Sequence, residues 1–160
     1  MYGRDPYTFA NHDAVPAPII RVIHTILKSW DQPVTDYKYI AAFTPTGVLH
    51  VATEPTQGEE ELKEIHDVLI NPQRGPIINL QHYLDRVYIM PGNVEGKTEA
   101  VFTGLLTNHL LNGQSVTTDF ATRMVLVEVD GELKAELLRI YSDTSALTTE
   151  LAAMLAGATK

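Results

Sequence analysis

The chain has 160 residues and a formal net charge of −8 at pH 7, with 12 Lys and Arg residues against 20 Asp and Glu residues. This length is typical of one domain with a substantial core. The acidic balance argues against nucleic acid as a partner, because no basic stripe is present to neutralise phosphates. The absence of cysteine excludes disulfides, thiolate nucleophiles and thiolate metal sites. No apolar stretch approaches the roughly 20 residues of a membrane span, and no signal pattern is visible, so we expect a cytoplasmic protein without membrane contact.

The first part of the chain predicts an N-terminal arm and two helices. Residues 1–14 are polar and aromatic without a clear period, which is typical of an arm or loop. Two prolines then precede a run of apolar residues at helical spacing, and Pro33 ends this predicted helix. A second helix is expected to begin at Gly58, because three glutamates follow where the helix dipole favours negative charge.

Between these helices the sequence predicts a short hairpin. Its strands are expected at Tyr37–Phe43 and Val48–Ala52, since a proline-glycine turn, Thr44-Pro45-Thr46-Gly47, separates them. After the second helix, a long strand is expected from about Ile77 to Met90.

The last third of the chain predicts an antiparallel meander and a final helix. Asn112-Gly113 and Asp130-Gly131 favour the positive backbone angles of two-residue type I′ turns. Asp143, followed by Thr144 and Ser145, offers caps for a helix over residues 144–156. The three strands of the meander are expected at Thr98–Leu111, Gln114–Val129 and Glu132–Tyr141.

The turns also predict which side chains share a face of the sheet. Pairing the residues that flank each turn places His109 opposite Val116, Thr103 opposite Thr122, and Thr122 opposite Arg139. A bulge in the last strand would exchange the two faces of that strand. The expected inner face is mostly apolar with a few polar groups, as in small-molecule pockets; its apolar members are Val101, Leu105, Phe120, Met124 and Leu126.

The order of elements predicts a single α+β domain over residues 1–160, in which helices cover one face of a curved, largely antiparallel sheet. A strongly twisted sheet that wraps around the N-terminal helices leaves a cone, and the mouth of such a cone can admit a ligand. We found no repeat, low-complexity tract or interdomain linker.

The histidines do not follow the spacing of metal ligands on a helix, so we expect neither a metal nor another cofactor. Glycine loops for phosphate and the Gly-x-Ser-x-Gly motif are absent. His66 lies among apolar residues at helical spacing and is expected to be packed rather than a ligand. The six histidines are His12, His24, His50, His66, His82 and His109.

Asp31, His82 and His109 are the candidates for acid–base chemistry. A modest loop after the long strand can bring His109 close to His82, and Asp31 reaches the same cavity if the first helix plugs the cone. A histidine that is hydrogen-bonded to a carboxylate is oriented and held in one tautomer, and it becomes a better base. Three alternatives stay open: His82 as a satisfied core or rim histidine, Asp31 as a solvated residue at a helix end, and a one-residue register slip that points His109 outward.

The order of elements resembles the cone-shaped fold of the nuclear transport factor 2-like (NTF2-like) superfamily, which includes ketosteroid isomerase and SnoaL-like polyketide cyclases. Ser29-Trp30-Asp31 is similar to the Ser-Tyr-Asp of scytalone dehydratases, and Leu80-Gln81-His82-Tyr83 is similar to their Thr-Gln-His-Phe. His109 is similar to their second histidine. The resemblance implies that Asp31 and His82 form a dyad and that His109 assists the loss of water.

The resemblance also implies residues that hold the substrate, with three departures. Trp30 stands in place of a tyrosine that donates through its phenol group. His50 falls near the position of a second such tyrosine, and Thr122 falls at that of an asparagine. These departures argue against the same substrate and are compatible with proton-transfer chemistry. Further candidates for holding substrate oxygens are Tyr88, Arg139 and Tyr141.

Two classes of function are compatible with these patterns. The first is a cofactor-independent lyase or isomerase, dehydratase-like or cyclase-like, that acts on a small hydrophobic oxygenated ring compound, as in secondary metabolism. The second is a non-catalytic small-molecule-binding or dimerisation module of the same fold. A cavity filled by side chains would favour the second. In either case we expect the chain to self-associate as a homodimer or trimer.

Overall fold

A computed structural model describes residues 5–51, 54–92 and 94–158 of the chain, which contain three α-helices and six strands. The helices are α1 (Ala17–Trp30), α2 (Glu59–Leu69) and α3 (Ser145–Ala158). The strands are β1 (Phe43–His50), β2 (Thr56–Gln57), β3 (Ile77–Ile89), β4 (Thr98–Leu110), β5 (Ser115–Val129) and β6 (Glu132–Ser142).

The six strands form one curved, unclosed sheet in the order β2-β1-β6-β5-β4-β3. Strand β1 runs parallel to β6, and every other pair is antiparallel, so that the sheet is mixed. The α+β class and the curved sheet predicted from the sequence are therefore confirmed. None of the described helices is long and apolar enough to cross a membrane.

Helix α1 buries one apolar side against the sheet. Its apolar residues recur every three or four positions and so lie on one face of the helix. The predicted helix is confirmed, and it ends where the backbone N–H of Asp31 bonds to the carbonyl of Leu27 at 2.9 Å. The predicted stripe is buried in full, with Ile19, Ile23, Ile26, Leu27 and Trp30 between 0% and 7% exposed.

Helix α2 begins after Gly58, as predicted, and α3 begins at Ser145, the last of the predicted caps. Gly58 has a φ of 88°, a conformation that suits glycine. Ahead of α3, the Oδ1 of Asp143 accepts a hydrogen bond of 2.9 Å from the backbone N–H of Ser145. This carboxylate therefore caps the helix.

The predicted hairpin between α1 and α2 is wrong. The segment expected as its first strand forms a 3-10 helix over Lys38–Ala42, preceded by Tyr37 in a left-handed conformation with a φ of 60°. This winding buries Tyr39 completely. The Tyr39 backbone N–H donates to Ser29 Oγ at 3.3 Å, and its hydroxyl donates to the carbonyl of Leu62. A strand would have left this hydroxyl without its partner on α2.

The predicted turn at residues 44–47 lies within strand β1. The pairing of β1 with β6 is irregular between Phe43 and Val48, which accommodates the proline in a strand. A Cβ on Gly47 would lie 2.7 Å from the carbonyl oxygen of Ala135, so only glycine allows this close approach of the two strands. The predicted second strand is thus the end of β1, and its last expected residue, Ala52, lies outside the described residues.

The first turn of the meander differs from the expected type, and this difference shifts the register. Gly113 has a φ of 85°, and the backbone N–H of Leu110 bonds to the carbonyl of Gln114 at 2.9 Å. The loop therefore has three residues and ends in a left-handed glycine, the second common hairpin geometry. As a result His109 pairs with Ser115, one residue before the predicted Val116.

The second turn has the predicted form, and a bulge follows it. Asp130 and Gly131 both have positive φ values, of 53° and 81°, as a type I′ turn requires. The register then shifts beyond Leu126, so that Thr122 pairs with Ile140 and not with Arg139. The sequence analysis allowed for such a bulge in the last strand. It exchanges the two faces of β6.

The two shifts decide the composition of the inner face. Strand β5 lies as predicted, with Phe120, Met124 and Leu126 buried. Strand β4 is turned over, because a shift of one residue moves every side chain to the other face. The placement of Val101, Thr103, Leu105 and His109 on the inner face is therefore wrong; the inner residues of β4 are Ala100, Phe102, Gly104, Leu106, Asn108 and Leu110.

The described part of the N-terminal arm lies along β3. The carbonyl of Pro6 accepts a hydrogen bond of 2.7 Å from the backbone N–H of Leu84. Further along, the side chain of Asn11 bonds to both the N–H and the carbonyl of Val87, at 3.1 and 2.6 Å. Phe9 is 4% exposed. The arm is thus docked to the sheet by backbone bonds and by a buried aromatic ring.

We predict that Gly104→Ala destabilises the protein by about 1–3 kcal/mol, the usual cost of overpacking. A Cβ at this position would overlap the carbonyl oxygen of Tyr83 and lie 3.0 Å from the ring of Phe120. Urea-induced unfolding measures the change. Gly157→Ala is the matched control, since nothing lies within 4 Å of its added Cβ, and it should leave the unfolding free energy equal or slightly higher. Equal effects of the two substitutions would contradict the packing described for β4.

Candidate functional site

A carboxylate and an imidazole meet at the end of α1. The Oδ1 atom of Asp31 lies 2.5 Å from Nδ1 of His82, which is on β3. The two residues are 51 positions apart in the sequence and are joined because α1 ends beside the middle of this strand. The Asp31 side chain is 2% exposed and that of His82 is 12% exposed, so little water competes for their hydrogen bond.

The second oxygen of this carboxylate is also fully engaged. Oδ2 of Asp31 accepts hydrogen bonds from the Tyr7 hydroxyl at 2.7 Å, from Nε2 of Gln81 at 3.0 Å and from the backbone N–H of His82 at 3.0 Å. A buried charge is tolerated when it is hydrogen-bonded in this way. The four donors come from the arm and from β3, so that both elements fix the direction of the carboxylate.

This arrangement decides the tautomer of His82. An ionised carboxylate can only accept hydrogen bonds, so Nδ1 carries the proton in the neutral ring. Nε2 is then left with a free lone pair. The group can take up a proton at Nε2, and the adjacent carboxylate stabilises the imidazolium that results.

Tyr7 is a hydrogen-bond donor that stays protonated. Burial raises the pKa of its hydroxyl above the ordinary 10.0, and the Asp31 carboxylate raises it further. The Tyr7 backbone carbonyl lies 3.0 Å from Nε2 of His24, and Lys28 lies over the Tyr7 ring. Burial lowers the pKa of His24. Contacts with two residues of α1 thus hold Tyr7 in place.

His82 forms part of the wall of a cavity of about 450 Å³ between the helices and the inner face of the sheet. Among the described residues that line it, His82 is the one titratable side chain, and the other polar groups are hydroxyls, an indole and an amide. The lining consists of Ile26, Leu27, Trp30, Leu49, Val51, Leu69, Ile70, Ile77, Leu80, His82, Phe102, Leu106, Asn108, Thr118, Phe120, Thr122, Leu138, Ile140, Ser142, Thr144 and Leu147.

Aromatic rings hold the imidazole from the sheet side. The ring of Phe120 meets that of His82 edge to face, with 5.4 Å between centroids and an angle of 89°. Phe102 supports Phe120 in the same way at 5.9 Å. Edge-to-face packing is a favourable arrangement of aromatic rings. The imidazole is therefore restrained by a hydrogen bond on one side and by packing on another.

Trp30 and Thr122, both predicted to hold the substrate, line this cavity. The ring of Trp30 also packs against His66, with 4.9 Å between centroids. His66 is 2% exposed, and burial lowers the pKa of its ring. It is thus a packed residue, as the sequence predicted.

His109 lies on the opposite face of the sheet, and its predicted placement near His82 is wrong. Its Nδ1 atom is 2.9 Å from the hydroxyl of Ser115, in an exposed pair. The residue of β4 that lies across from His82 is Leu106. The physical reason is the three-residue loop, which turns β4 over.

Four other predicted substrate-binding residues are absent from the described lining of the cavity. Tyr88 and Tyr141 are about half exposed, and Arg139 lies over the ring of Tyr141 at 5.3 Å on the outer face. His50 is half-buried in β1 and pairs in register with Arg139. The bulge in β6 accounts for Arg139 and Tyr141, since it sends odd-numbered residues outward there.

Sequence reasoning missed three residues of the site: Tyr7, Gln81 and Asn108. Gln81 is part of the motif around His82, but its role as a donor to Asp31 depends on where α1 ends. Asn108 had a detectable signal, because the alternate residues of β4 from Ala100 to Leu110 are otherwise apolar or glycine. Tyr7 had none, since the arm shows no period. The described residues contain no group of three or more His, Asp or Glu side chains arranged to hold a metal ion.

No model of a protein family and no curated protein sequence matches this chain. Solved structures do resemble it. A hexachlorocyclohexane dehydrochlorinase (LinA) superposes with a TM-score of 0.67 at 14% identity, covering 79% of this chain and 84% of the other. ActVI-ORFA from Streptomyces coelicolor gives 0.65 at 16% identity, covering 79% and 96%.

A candidate scytalone dehydratase from Novosphingobium aromaticivorans gives a TM-score of 0.64 at 14% identity, covering 79% of this chain and 82% of the other. Identities this low establish a shared fold and leave the activity to be argued from the site itself. The three helices and the curved, unclosed sheet of this chain form an α+β fold that matches these NTF2-like structures. The chain therefore has the NTF2-like fold.

Proposed function

We propose that this protein is a cofactor-independent lyase or isomerase that removes a proton next to a carbonyl in a small, largely apolar ring compound. The observation that carries the proposal is the contact of Asp31 with His82 in the wall of a cavity of about 450 Å³. Cavities of this size accept small ring compounds. An oriented imidazole beside an apolar space suits proton transfer to and from carbon.

In the proposed reaction, Nε2 of His82 takes the proton. The C–H bond next to the carbonyl breaks, and its electron pair moves to form an enolate. The imidazolium that results is stabilised by the carboxylate of Asp31, which keeps its own negative charge. In a lyase reaction the enolate then expels a leaving group from the next carbon. In an isomerisation the substrate carries a C=C bond next to the carbon that loses the proton, so that a dienolate forms and takes the proton back at the far end of that bond.

The same imidazolium returns the proton in this proposal. His82 is the one titratable side chain among the described residues of the lining, and His109 lies on the opposite face of the sheet. A leaving hydroxyl must therefore depart from the side of the ring that faces His82. We infer that water loss, where it occurs, removes the proton and the hydroxyl from the same face of the substrate.

The similar structures favour the lyase form of this proposal. One is a dehydrochlorinase and another a candidate scytalone dehydratase. Their names describe eliminations from two different compounds, which supports the proposed reaction class in general and no particular substrate. A binding module without catalysis is the competing proposal, and it requires that the wild-type protein binds such compounds without accelerating their reaction.

We predict that His82→Ala and Asp31→Asn each lower kcat by about 10²- to 10⁴-fold, the usual contribution of a general base. A suitable probe is 3-hydroxy-1-tetralone, which has an acidic C–H between its carbonyl and the carbon that bears its hydroxyl group. Its dehydration gives 1-naphthol, which is measured by fluorescence. The wild type is expected to accelerate this reaction over buffer.

His109→Ala is the matched control for these variants. It removes the same type of side chain from the outer face of β4, next to a residue that lines the cavity, and should leave kcat unchanged within about twofold. Loss of activity in this variant together with full activity in His82→Ala would reverse the assignment. Full activity in both dyad variants would contradict the roles of Asp31 and His82, and a wild type that does not accelerate the reaction would favour the binding module.

We predict that Tyr7→Phe lowers kcat about tenfold and leaves KM within about twofold. The substitution removes one of the donors to Asp31 and keeps the ring, so the carboxylate loses orientation but the cavity keeps its lining. Tyr37→Phe is the matched control, because the Tyr37 hydroxyl donates to a carboxylate, that of Asp67, at the same 2.7 Å but on the surface. An equal loss of kcat in both variants would contradict a positioning role for Tyr7.

The pH dependence of stability gives a test of Tyr7 that is independent of turnover. Its pKa is raised in the folded protein, so the protonated hydroxyl stabilises the fold fully below pH 10. The protonated hydroxyl stabilises the fold by about 1 kcal/mol, as expected of a partly exposed donor to a charged acceptor. This stabilisation is lost as the pH rises above 10. The difference in unfolding free energy between wild type and Tyr7→Phe should therefore be constant from pH 7 to 9 and shrink at pH 10.5. A constant difference throughout would show that the hydroxyl does not interact with Asp31.

A further inference from the structure

Asn108 lies in the wall of the cavity with an amide nitrogen that has no hydrogen-bond partner among the described residues. The residue is 3% exposed. Its neighbours across the sheet, Leu80 on β3 and Val116 on β5, are apolar and offer its side chain no acceptor. The amide is thus a buried donor beside an apolar space.

A buried amide N–H without a partner destabilises the folded protein, because water would otherwise satisfy it. Such groups are rare in folded proteins and call for an explanation. Two other side chains among the described residues share this condition, Thr44 through its hydroxyl and His66 through Nε2. Neither lines the cavity. Asn108 is the member of this set that a bound molecule can reach.

We propose that Asn108 donates a hydrogen bond to a carbonyl oxygen of the ligand and so selects oxygenated rings over hydrocarbons of the same shape. The donor would be recovered on binding, since the ligand oxygen replaces the missing acceptor. A site built to bond a polar group rejects the analogue that lacks it, because its own polar atom is then left unpaired.

The register places the Asn108 amide close enough to His82 for one ligand to contact both side chains. His82 lies across from Leu106, and Asn108 is two residues further along β4 on the same face. Diagonal neighbours of this kind have Cα atoms about 7–8 Å apart, within reach of longer side chains. A carbonyl group and the carbon next to it fit between the amide and the imidazole.

Asn108 also has a proposed role in catalysis, and that role rests on the proposed function. When Nε2 of His82 takes the proton, negative charge develops on the carbonyl oxygen. A fixed amide donor at that oxygen stabilises the enolate more than the neutral carbonyl. The amide itself has no proton to give up, so proton transfer stays with His82.

The test measures binding without turnover. The probes are 1-tetralone and tetralin, a ketone and the hydrocarbon of the same ring skeleton. The single tryptophan of the chain, Trp30, lines the cavity and reports binding through its fluorescence. The quantity compared is the ratio of the Kd for tetralin to the Kd for 1-tetralone.

Asn108→Leu keeps the approximate shape of the side chain and removes the donor, so the ratio should fall about tenfold from its wild-type value. The matched control is Thr44→Val, which removes an unpartnered buried hydroxyl away from the cavity and should leave the ratio unchanged. Carbonyl selection and catalysis therefore fail or succeed in separate measurements.

The urea midpoint of the ligand-free protein gives a second readout. Removing an unpaired buried donor should leave the midpoint of Asn108→Leu equal to or above that of the wild type, whereas removing a structural hydrogen bond would lower it. A lowered midpoint, an unchanged ratio in Asn108→Leu, or no measurable binding of 1-tetralone to the wild type would each overturn the proposal.

Discussion

The candidate site depends on the hydrogen bonds to the carboxylate of Asp31. This group is buried where α1 ends, and a buried charge is stable only when its oxygens are satisfied. Its donors are one side chain from the arm and three groups of β3. A single charge therefore connects three parts of the chain, and the orientation of the imidazole follows from that connection.

The elements of the fold could be predicted from local patterns, and most of their boundaries follow from caps and turns. The exceptions lie between α1 and α2, where the predicted turn is part of β1, β2 was not predicted, and a strand-like sequence at Lys38–Ala42 forms a 3-10 helix. The reason for the 3-10 helix is tertiary: Tyr39 is buried and bonds to Ser29 and to Leu62, two residues that sequence periodicity does not connect to it. Packing decides the conformation of such a short segment, and its own propensity does not.

The site could be predicted in part, and the missing part has a physical cause. Asp31 and His82 belong to local motifs, and their meeting requires only that α1 enter the cone. Whether His109 or Asn108 lies on the inner face depends on the register of β4. One residue in the loop between β4 and β5 sets that register. Asn112-Gly113 is compatible with loops of two or three residues, and the sequence alone does not distinguish them. The choice exchanges His109 for Asn108 at the inner face.

That exchange changes the chemistry of the cavity. Two imidazoles would supply a base and an acid, and one imidazole with an amide supplies a base and a neutral donor. The other polar groups of the described lining are four hydroxyls and the indole of Trp30, and the remaining residues are apolar. The chemical character of this site is thus set by loop length as much as by residue identity.

The docked arm has a consequence beyond the site. Strand β3 is the last in the sheet, and an uncovered final strand presents unpaired backbone groups that can recruit strands from other molecules. The arm occupies some of these groups at Leu84, Asp85 and Val87. The segment that steadies the carboxylate therefore also protects the sheet against aggregation, and loss of the arm would endanger the solubility of the protein together with the order of its dyad.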